Sequence, residues 1–123
     1  SAHGTATIYN DEMESKALHL SGLEHTPVNS LKGFFGHTLG SAGLVESIIS
    51  IRSMKENTMI PTAGFEKSGA DTMLNVCRQV NYLPLKNCLK IASGFGGCNA
   101  AVVFSKIKPL YGWNENNGKR NFE

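Results

Sequence analysis

The sequence predicts an α/β fold, because helical and strand patterns both occur along the chain in segments of ordinary length. One helix is predicted from Asp11 to about Leu20, a second from Ser41 to about Lys55, and two strands lie near the C-terminal end. With 123 residues, 41% of them hydrophobic, the chain is long enough to bury a small core in one domain.

The first helix is predicted from its end signals. Asp11 and Glu14 have the spacing of a capping box, which places acidic side chains at the positive end of a helix. Gly22 is a typical C-terminal stop. Residues 27–30 are then predicted to be extended, and the glycine-bounded segment 32–40 to be a loop.

The second helix is predicted to be buried. Its apolar residues, among them Leu44 and Ile48, fall on nearly every face until Arg52. The small residues at 40–43, where it begins, predict close packing against a neighbouring element.

The C-terminal part of the chain carries the strand signals. Residues 57–70 contain prolines and glycines and are predicted to cross the surface. Residues 89–93 and 100–105 are predicted strands, joined by the glycine-rich turn 94–99. Residues 108–123 are polar and rich in asparagine, which is typical of a tail.

Composition and charge exclude several classes of function. A net charge of +2, with scattered basic residues, gives no indication of nucleic acid binding. The three cysteines, Cys77, Cys88 and Cys98, are odd in number, so we predict reduced thiols and a cytoplasmic protein. Their spacing is not that of metal ligands, so no metal site is predicted. No segment has the length and apolar character of a membrane span or signal sequence, so no membrane partner is expected.

Two histidines and a lysine are the most informative residues. His3 is followed by glycine and by Thr5 and Thr7, and His37 lies in the glycine-rich segment that begins at Lys32. The unpaired N–H groups ahead of the second helix disfavour a charged His37, and two neutral imidazoles can donate hydrogen bonds to one carbonyl oxygen as it gains negative charge. Taken singly, His37 could simply pack, His3 could be exposed, and Lys32 could be a surface lysine.

Glu46 and Phe95 are further candidates. Glu46 would be costly to bury unpaired, so it should meet a cation such as Lys32, unless it is simply exposed. Phe95 has glycines on both sides and could swing like a gate, although the same glycines could serve only to bend the turn.

Three motifs in order resemble one family. The segments HGTAT at 3–7, KGFFGHTLGSAG at 32–43 and GFGG-x-N at 94–99 are similar to those of the C-terminal half of a β-ketoacyl-acyl carrier protein synthase, an elongating condensing enzyme. The resemblance covers residues 1 to about 107. It implies a thiolase-like fold in which two αβα halves stack into five layers, this chain supplying the C-terminal half at 1–107. The chain also opens on a turn with no strand before it, so we expect a fragment.

The resemblance also implies roles for individual residues. His3 and His37 match the histidines that hold the malonyl thioester oxygen, and Lys32 matches a lysine that organises the site. Glu46 matches an acidic residue that fixes either this lysine or a structural monovalent cation. Such a cation could bind near Glu46 and Asn99, and no other cofactor is expected. Phe95 matches a gating phenylalanine.

The implied reaction is decarboxylative Claisen condensation of an acyl thioester with malonyl-acyl carrier protein, in fatty acid, polyene or polyketide synthesis. Its partners would be acyl carrier protein, the N-terminal half with its cysteine nucleophile, and a second subunit in a homodimer or heterodimer. This chain lacks the nucleophile and should be inactive alone. The alternatives are a non-catalytic partner subunit like the chain-length factors, against which the retained histidines and lysine argue, and a domain of a modular polyketide synthase.

Overall fold

The computed structural model describes residues 1–69 and 72–107, and the polar tail predicted at 108–123 lies outside them. Helices come first along the described chain and short strands follow them, which is the order that the sequence predicts. The helices are α1 (Ile8–Leu20), α2 (Lys32–Phe35) and α3 (Ala42–Glu56), and the strands are β1 (Thr58–Met59), β2 (Asn81–Tyr82), β3 (Asn87–Ser93) and β4 (Asn99–Ser105).

Helix α1 begins earlier than the sequence predicts, so the expected capping box at Asp11 and Glu14 is wrong. Thr7 precedes the helix with extended backbone, and its carbonyl already accepts a hydrogen bond from Asp11 N at 2.9 Å. Asp11 therefore lies in the first turn of the helix. The Glu14 carboxylate points to the interior, where it accepts hydrogen bonds from the backbone of His3 and Gly4. The predicted stop is confirmed, since Gly22 takes a φ of +69° just past the helix end.

Helix α3 has nearly the predicted bounds, but its burial is the reverse of the prediction. Its buried face carries Ala42, Glu46, Ser50 and Met54 at four-residue spacing. Leu44 is 67% exposed, on another face. Two polar side chains on the inner face are acceptable because Ser50 Oγ donates to the Glu46 carbonyl oxygen and the Glu46 carboxylate meets cations.

The segment predicted as a loop at 32–40 is largely helical. It contains α2, followed by a single 3-10 turn at Leu39–Ser41 that leads into α3. Leu31, just before α2, is 1% exposed and anchors this segment in the core. The close packing expected at 40–43 is seen at Ala42, which is 3% exposed, but not at Gly40 or Gly43, where nothing outside the local backbone lies within 4 Å of an added Cβ.

In this segment, residue 33 must be glycine because α2 packs there directly against the backbone of Ala63. A Cβ added there would lie 2.5 Å from the carbonyl oxygen of Ala63 and 2.9 Å from its Cβ. Backbone atoms cannot swing aside as a long side chain can, so α2 and the loop at Ala63 would have to separate.

We expect Gly33→Ala to lower the free energy of unfolding by about 1–3 kcal/mol, because an extra methyl group would overpack this contact. Chemical denaturation measures the change. Gly43→Ala is the matched control: nothing lies within 4 Å of the added Cβ, and alanine in a helix should leave stability equal or higher. Equal effects of the two substitutions would contradict the described contact.

The strands form two antiparallel pairs. Strand β1 pairs with β2 in the register Thr58↔Tyr82, so the stretch predicted as a surface crossing contains a short strand, and β2 was not predicted. Strands β3 and β4 form the predicted hairpin, in register from Asn87↔Ser105 to Ser93↔Asn99. The predicted turn at 94–99 is confirmed.

The first three residues run between two other segments. Ala2 N donates to Asn29 O at 2.8 Å, and Ile91 N of β3 donates to Ser1 O at 3.0 Å. His3 is thereby held next to β3 and to the segment that leads into α2. The buried apolar side chains of the core are Leu18, Leu31, Ala42, Met54, Met59 and Cys77.

Helices long and apolar enough to cross a bilayer do not occur in the described part of the chain.

Candidate active site

The imidazole rings of His3 and His37 meet, although 34 positions separate them in the sequence. Their centroids lie 5.3 Å apart with the ring planes at 80°. His3 is buried and His37 is exposed, so the pair sits where the interior opens to the surface. The two rings predicted to act on one oxygen therefore lie side by side.

The nitrogen that carries the proton on His37 can be inferred from its backbone contact. Leu39 N–H, in the 3-10 turn ahead of α3, donates to His37 Nδ1 at 3.1 Å. A nitrogen that accepts a hydrogen bond carries no proton, so in the neutral ring the proton lies on Nε2. His37 Nε2–H is therefore a donor.

His3 has the same arrangement with a different donor. The ammonium of Lys32 lies 3.5 Å from His3 Nδ1 and donates to the His3 carbonyl oxygen at 2.5 Å. An ammonium has no acceptor, so Nδ1 can only accept and the proton of the neutral ring again lies on Nε2. Burial lowers the pKa of His3 below its usual value, and the positive charge of Lys32 lowers it further. The neutral form of His3 is thereby favoured.

Glu14 fixes the backbone on which His3 is carried. Its two carboxylate oxygens accept hydrogen bonds from His3 N and Gly4 N, each at 2.7 Å, and the residue is 5% exposed. Ser30 Oγ donates to the Gly4 carbonyl oxygen at 2.7 Å from the other side. Sequence reasoning assigned Glu14 to a helix cap and missed this role.

A buried cluster of charges lies behind the histidines. Lys32 Nζ is 2.8 Å from Glu46 Oε1, and the two side chains are 7% and 4% exposed, which confirms the pairing that the sequence predicts. Lys90 of β3, 3% exposed, forms an ion pair with Glu46 Oε2, although without the alignment of a hydrogen bond, and donates to the Ala2 carbonyl oxygen at 2.9 Å. Sequence reasoning did not single out Lys90.

The pKa values in this cluster follow from burial and pairing. Burial alone would raise the pKa of Glu46, but the ammonium groups of Lys32 and Lys90 outweigh it, so the pKa lies below its ordinary value. Burial lowers the pKa of Lys90, and contact with Glu46 opposes the shift. Glu46 is thus held as a carboxylate.

The remaining predicted site residues lie outside this cluster. Thr5 is half-buried and Thr7 is exposed, and their hydroxyl groups hydrogen-bond to each other at 2.8 Å. The Phe95 side chain is fully exposed in the hairpin turn, and Asn99 is exposed at the start of β4. Their predicted roles have no contact in the described chain to support them.

In the described part of the chain, no hydrogen bond joins a cysteine to either histidine of the pair. Burial raises the pKa of the Cys77 thiol, which favours the unreactive form. Cys88 is half-buried and Cys98 is exposed in the turn. Among residues 1–69 and 72–107, no three His, Cys, Asp or Glu side chains group so as to hold a metal ion.

A cleft of about 540 Å³ lies beside Gly4 and Lys32. Glu14, Gly33 and Phe65 are among its lining residues, but neither imidazole is. The two imidazole rings therefore lie outside this cleft.

Residues 1–66 match the protein family described as the C-terminal domain of β-ketoacyl synthases. The chain belongs to this family. Its relatives include condensing enzymes of fatty acid and polyketide synthesis, as the resemblance in the sequence implies.

Two curated relatives of this β-ketoacyl synthase domain extend the similarity past residue 66. It is 34% identical over 110 residues to the polyketide biosynthesis malonyl-ACP decarboxylase PksF of Bacillus subtilis, covering 89% of this chain and 26% of that protein. It is 36% identical over 111 residues to the chloroplastic 3-oxoacyl-[acyl-carrier-protein] synthase II of Arabidopsis thaliana, covering 87% and 20%. The chain thus spans only a fraction of the length of the relatives it matches.

Solved structures confirm the predicted fold class, the C-terminal half of the thiolase-like α/β fold. A β-ketoacyl synthase from Burkholderia phymatum superimposes with a TM-score of 0.80 at 30% identity, over 86% of this chain and 26% of that one. The ishigamide ketosynthase/chain length factor gives 0.82 at 25% identity, over 88% and 27%. A type II polyketide ketosynthase in complex with its acyl carrier protein gives 0.80 at 32% identity, over 87% and 27%.

Proposed function

We propose that this chain is the oxyanion-binding half of a β-ketoacyl synthase that condenses an acyl thioester with malonyl-acyl carrier protein. One observation carries the proposal: His3 and His37 each have Nδ1 occupied by a donor, so their neutral rings present two Nε2–H groups within one small region. Two such donors suit an oxygen that gains negative charge in the transition state.

The chemistry that this pair would support is loss of carbon dioxide. When the bond between the carboxylate carbon and the α-carbon of the malonyl group breaks, its electron pair moves into an enolate whose negative charge lies on the thioester oxygen. Hydrogen bonds from His3 and His37 would lower this barrier, each by about 3 kcal/mol. The α-carbon then attacks the acyl thioester carbonyl, and the thiolate of the acylated cysteine leaves.

The nucleophile is proposed to come from the other half of the enzyme. Cys77 is buried with a raised pKa, and among the described residues neither Cys88 nor Cys98 is hydrogen-bonded to a histidine. A first half with a cysteine at a helix start would complete the site, on the same polypeptide or on a partner. Acyl carrier protein, bound by one of the similar ketosynthases, is the proposed donor of both acyl and malonyl groups.

A second candidate is malonyl decarboxylation without condensation. That step needs the oxyanion pair but no cysteine to accept an acyl chain, and the similar protein of Bacillus subtilis is named for it. The two functions differ only in whether a cysteine accepts the acyl chain. A non-catalytic partner subunit, like a chain-length factor, is less well supported because His3, Lys32 and His37 are all in place.

An assay with acyl- and malonyl-carrier protein tests the proposal. We expect the 123-residue chain alone to give no turnover, and the chain together with a cysteine-bearing first half to release carbon dioxide and form the β-ketoacyl product. A first half with its cysteine replaced by serine is the control and should give no β-ketoacyl product.

The outcomes separate the candidates. Carbon dioxide without β-ketoacyl product from the complete protein would indicate the decarboxylase. Neither product would indicate the non-catalytic subunit, and condensation by the chain alone would refute the division of roles.

A further inference from the structure

Lys90 is a buried ammonium group whose contacts are those of a metal ion. Its side chain is 3% exposed, and its Nζ lies between Glu46 Oε2 and the carbonyl oxygen of Ala2. Carboxylate and carbonyl oxygens are also the ligands that hard cations take in proteins. A lysine in this position is therefore equivalent to a cation attached to strand β3.

The residues expected to hold a monovalent cation do not fit one. Both oxygens of Glu46 already face ammonium groups, Oε1 that of Lys32 and Oε2 that of Lys90. Asn99 is exposed and stands opposite Ser93 across the hairpin, with no contact to Glu46 among the described residues. A metal ion beside Glu46 would add a third positive charge to a single buried carboxylate, which like-charge repulsion disfavours.

We propose that Lys90 takes the place of a monovalent metal ion at Glu46, so that this chain holds its site together without Na⁺ or K⁺. The Lys90 ammonium donates to the carbonyl oxygen of Ala2, the residue before His3, and shares Glu46 with Lys32. Lys32 in turn donates to the His3 carbonyl oxygen and contacts the His3 ring at Nδ1. Lys90 is thus a positioning residue for His3. The inference concerns how the site is assembled and holds whichever thioester reaction the histidines serve.

The unaltered protein gives the first test. We expect its thermal midpoint to be the same in KCl, NaCl and choline chloride at equal ionic strength, because choline is too large to enter a buried ion site and Lys90 leaves no such site to fill. A saturable rise of the midpoint with K⁺ or Na⁺ relative to choline would overturn the proposal. This measurement decides the question even where a variant fails to fold.

Removal and replacement of the ammonium give the second test. Lys90→Ala removes a group of the size of n-propylammonium and should lower the midpoint by on the order of 10 °C, because Glu46 loses one of its two cations. We expect n-propylammonium chloride or KCl to recover roughly half of that loss or more. Uncharged n-propanol and the bulky tetramethylammonium ion should recover none.

Lys106→Ala is the matched control. Lys106 follows β4, and its ammonium donates to the exposed Asn57 Oδ1 at 2.7 Å, so its loss should lower the midpoint little and should not respond to n-propylammonium. The proposal fails if Lys90→Ala is as stable as this control. It also fails if propanol rescues Lys90→Ala as well as the amine does, or if neither cation rescues it.

Discussion

Replacing His37 with alanine is expected to slow malonyl decarboxylation by a factor of about 10² to 10³, while leaving transfer of an acyl group to the cysteine of the complete enzyme largely intact. The substitution removes one of the two Nε2–H donors proposed to stabilise the enolate. The fold should survive, because His37 is exposed and water can replace its ring as the partner of Leu39 N–H.

Two separate measurements are needed for this prediction. Release of labelled carbon dioxide from malonyl-carrier protein reports the decarboxylation, and a single-turnover burst with labelled acyl-carrier protein reports the acylation. His25→Ala is the control, since the side chain of His25 is 96% exposed, and it should change neither rate. Loss of acylation with decarboxylation preserved would overturn the assignment of His37 to the oxyanion.

The largest effect on stability is expected from Glu46→Ala. The substitution leaves the ammonium groups of Lys32 and Lys90 buried with no carboxylate between them, at 7% and 3% exposure. Breaking a buried pair by removing one partner costs about 3–5 kcal/mol, because the remaining charge is desolvated and uncompensated. Here one carboxylate serves two cations, so we expect a loss at the upper end of that range in chemical denaturation.

Helix α3 itself offers the control. Glu56 forms an ion pair with Arg52 one turn away, with side chains 51% and 74% exposed. Exposed pairs of this kind contribute at most about 1 kcal/mol, so Glu56→Ala should be nearly neutral. If the two glutamate substitutions cost the same, the described charge cluster does not contribute as we infer.

The elements that the sequence predicted well are those whose signals are local. Helix α3 carries its own run of apolar residues and the β3–β4 hairpin its own turn glycines, and both appear close to the predicted bounds. Gly22 ends α1 as expected, because a left-handed position after a helix favours glycine. The pairing of Lys32 with Glu46 followed from the cost of burying a lone carboxylate.

The features that were missed depend on distant segments. Glu14 has the spacing of a helix cap, and only the approach of the His3 backbone gives its carboxylate a different task. Lys90 stands between Leu89 and Ile91 in a strand pattern that normally alternates with solvent, and its burial depends on α3. A lysine flanked by apolar residues in a predicted strand is the signal that could have indicated a buried partner.

The donors that face Nδ1 of the two imidazoles differ in how easily a mutation removes them. Every residue except proline supplies a main-chain N–H at position 39. Substitution of Leu39 therefore leaves the donor to His37 Nδ1 in place. The first ring relies on a side chain that one codon change can erase. Among related sequences, position 39 should therefore vary without changing which nitrogen of His37 carries the proton, whereas loss of the lysine at position 32 removes the donor that fixes the proton on His3.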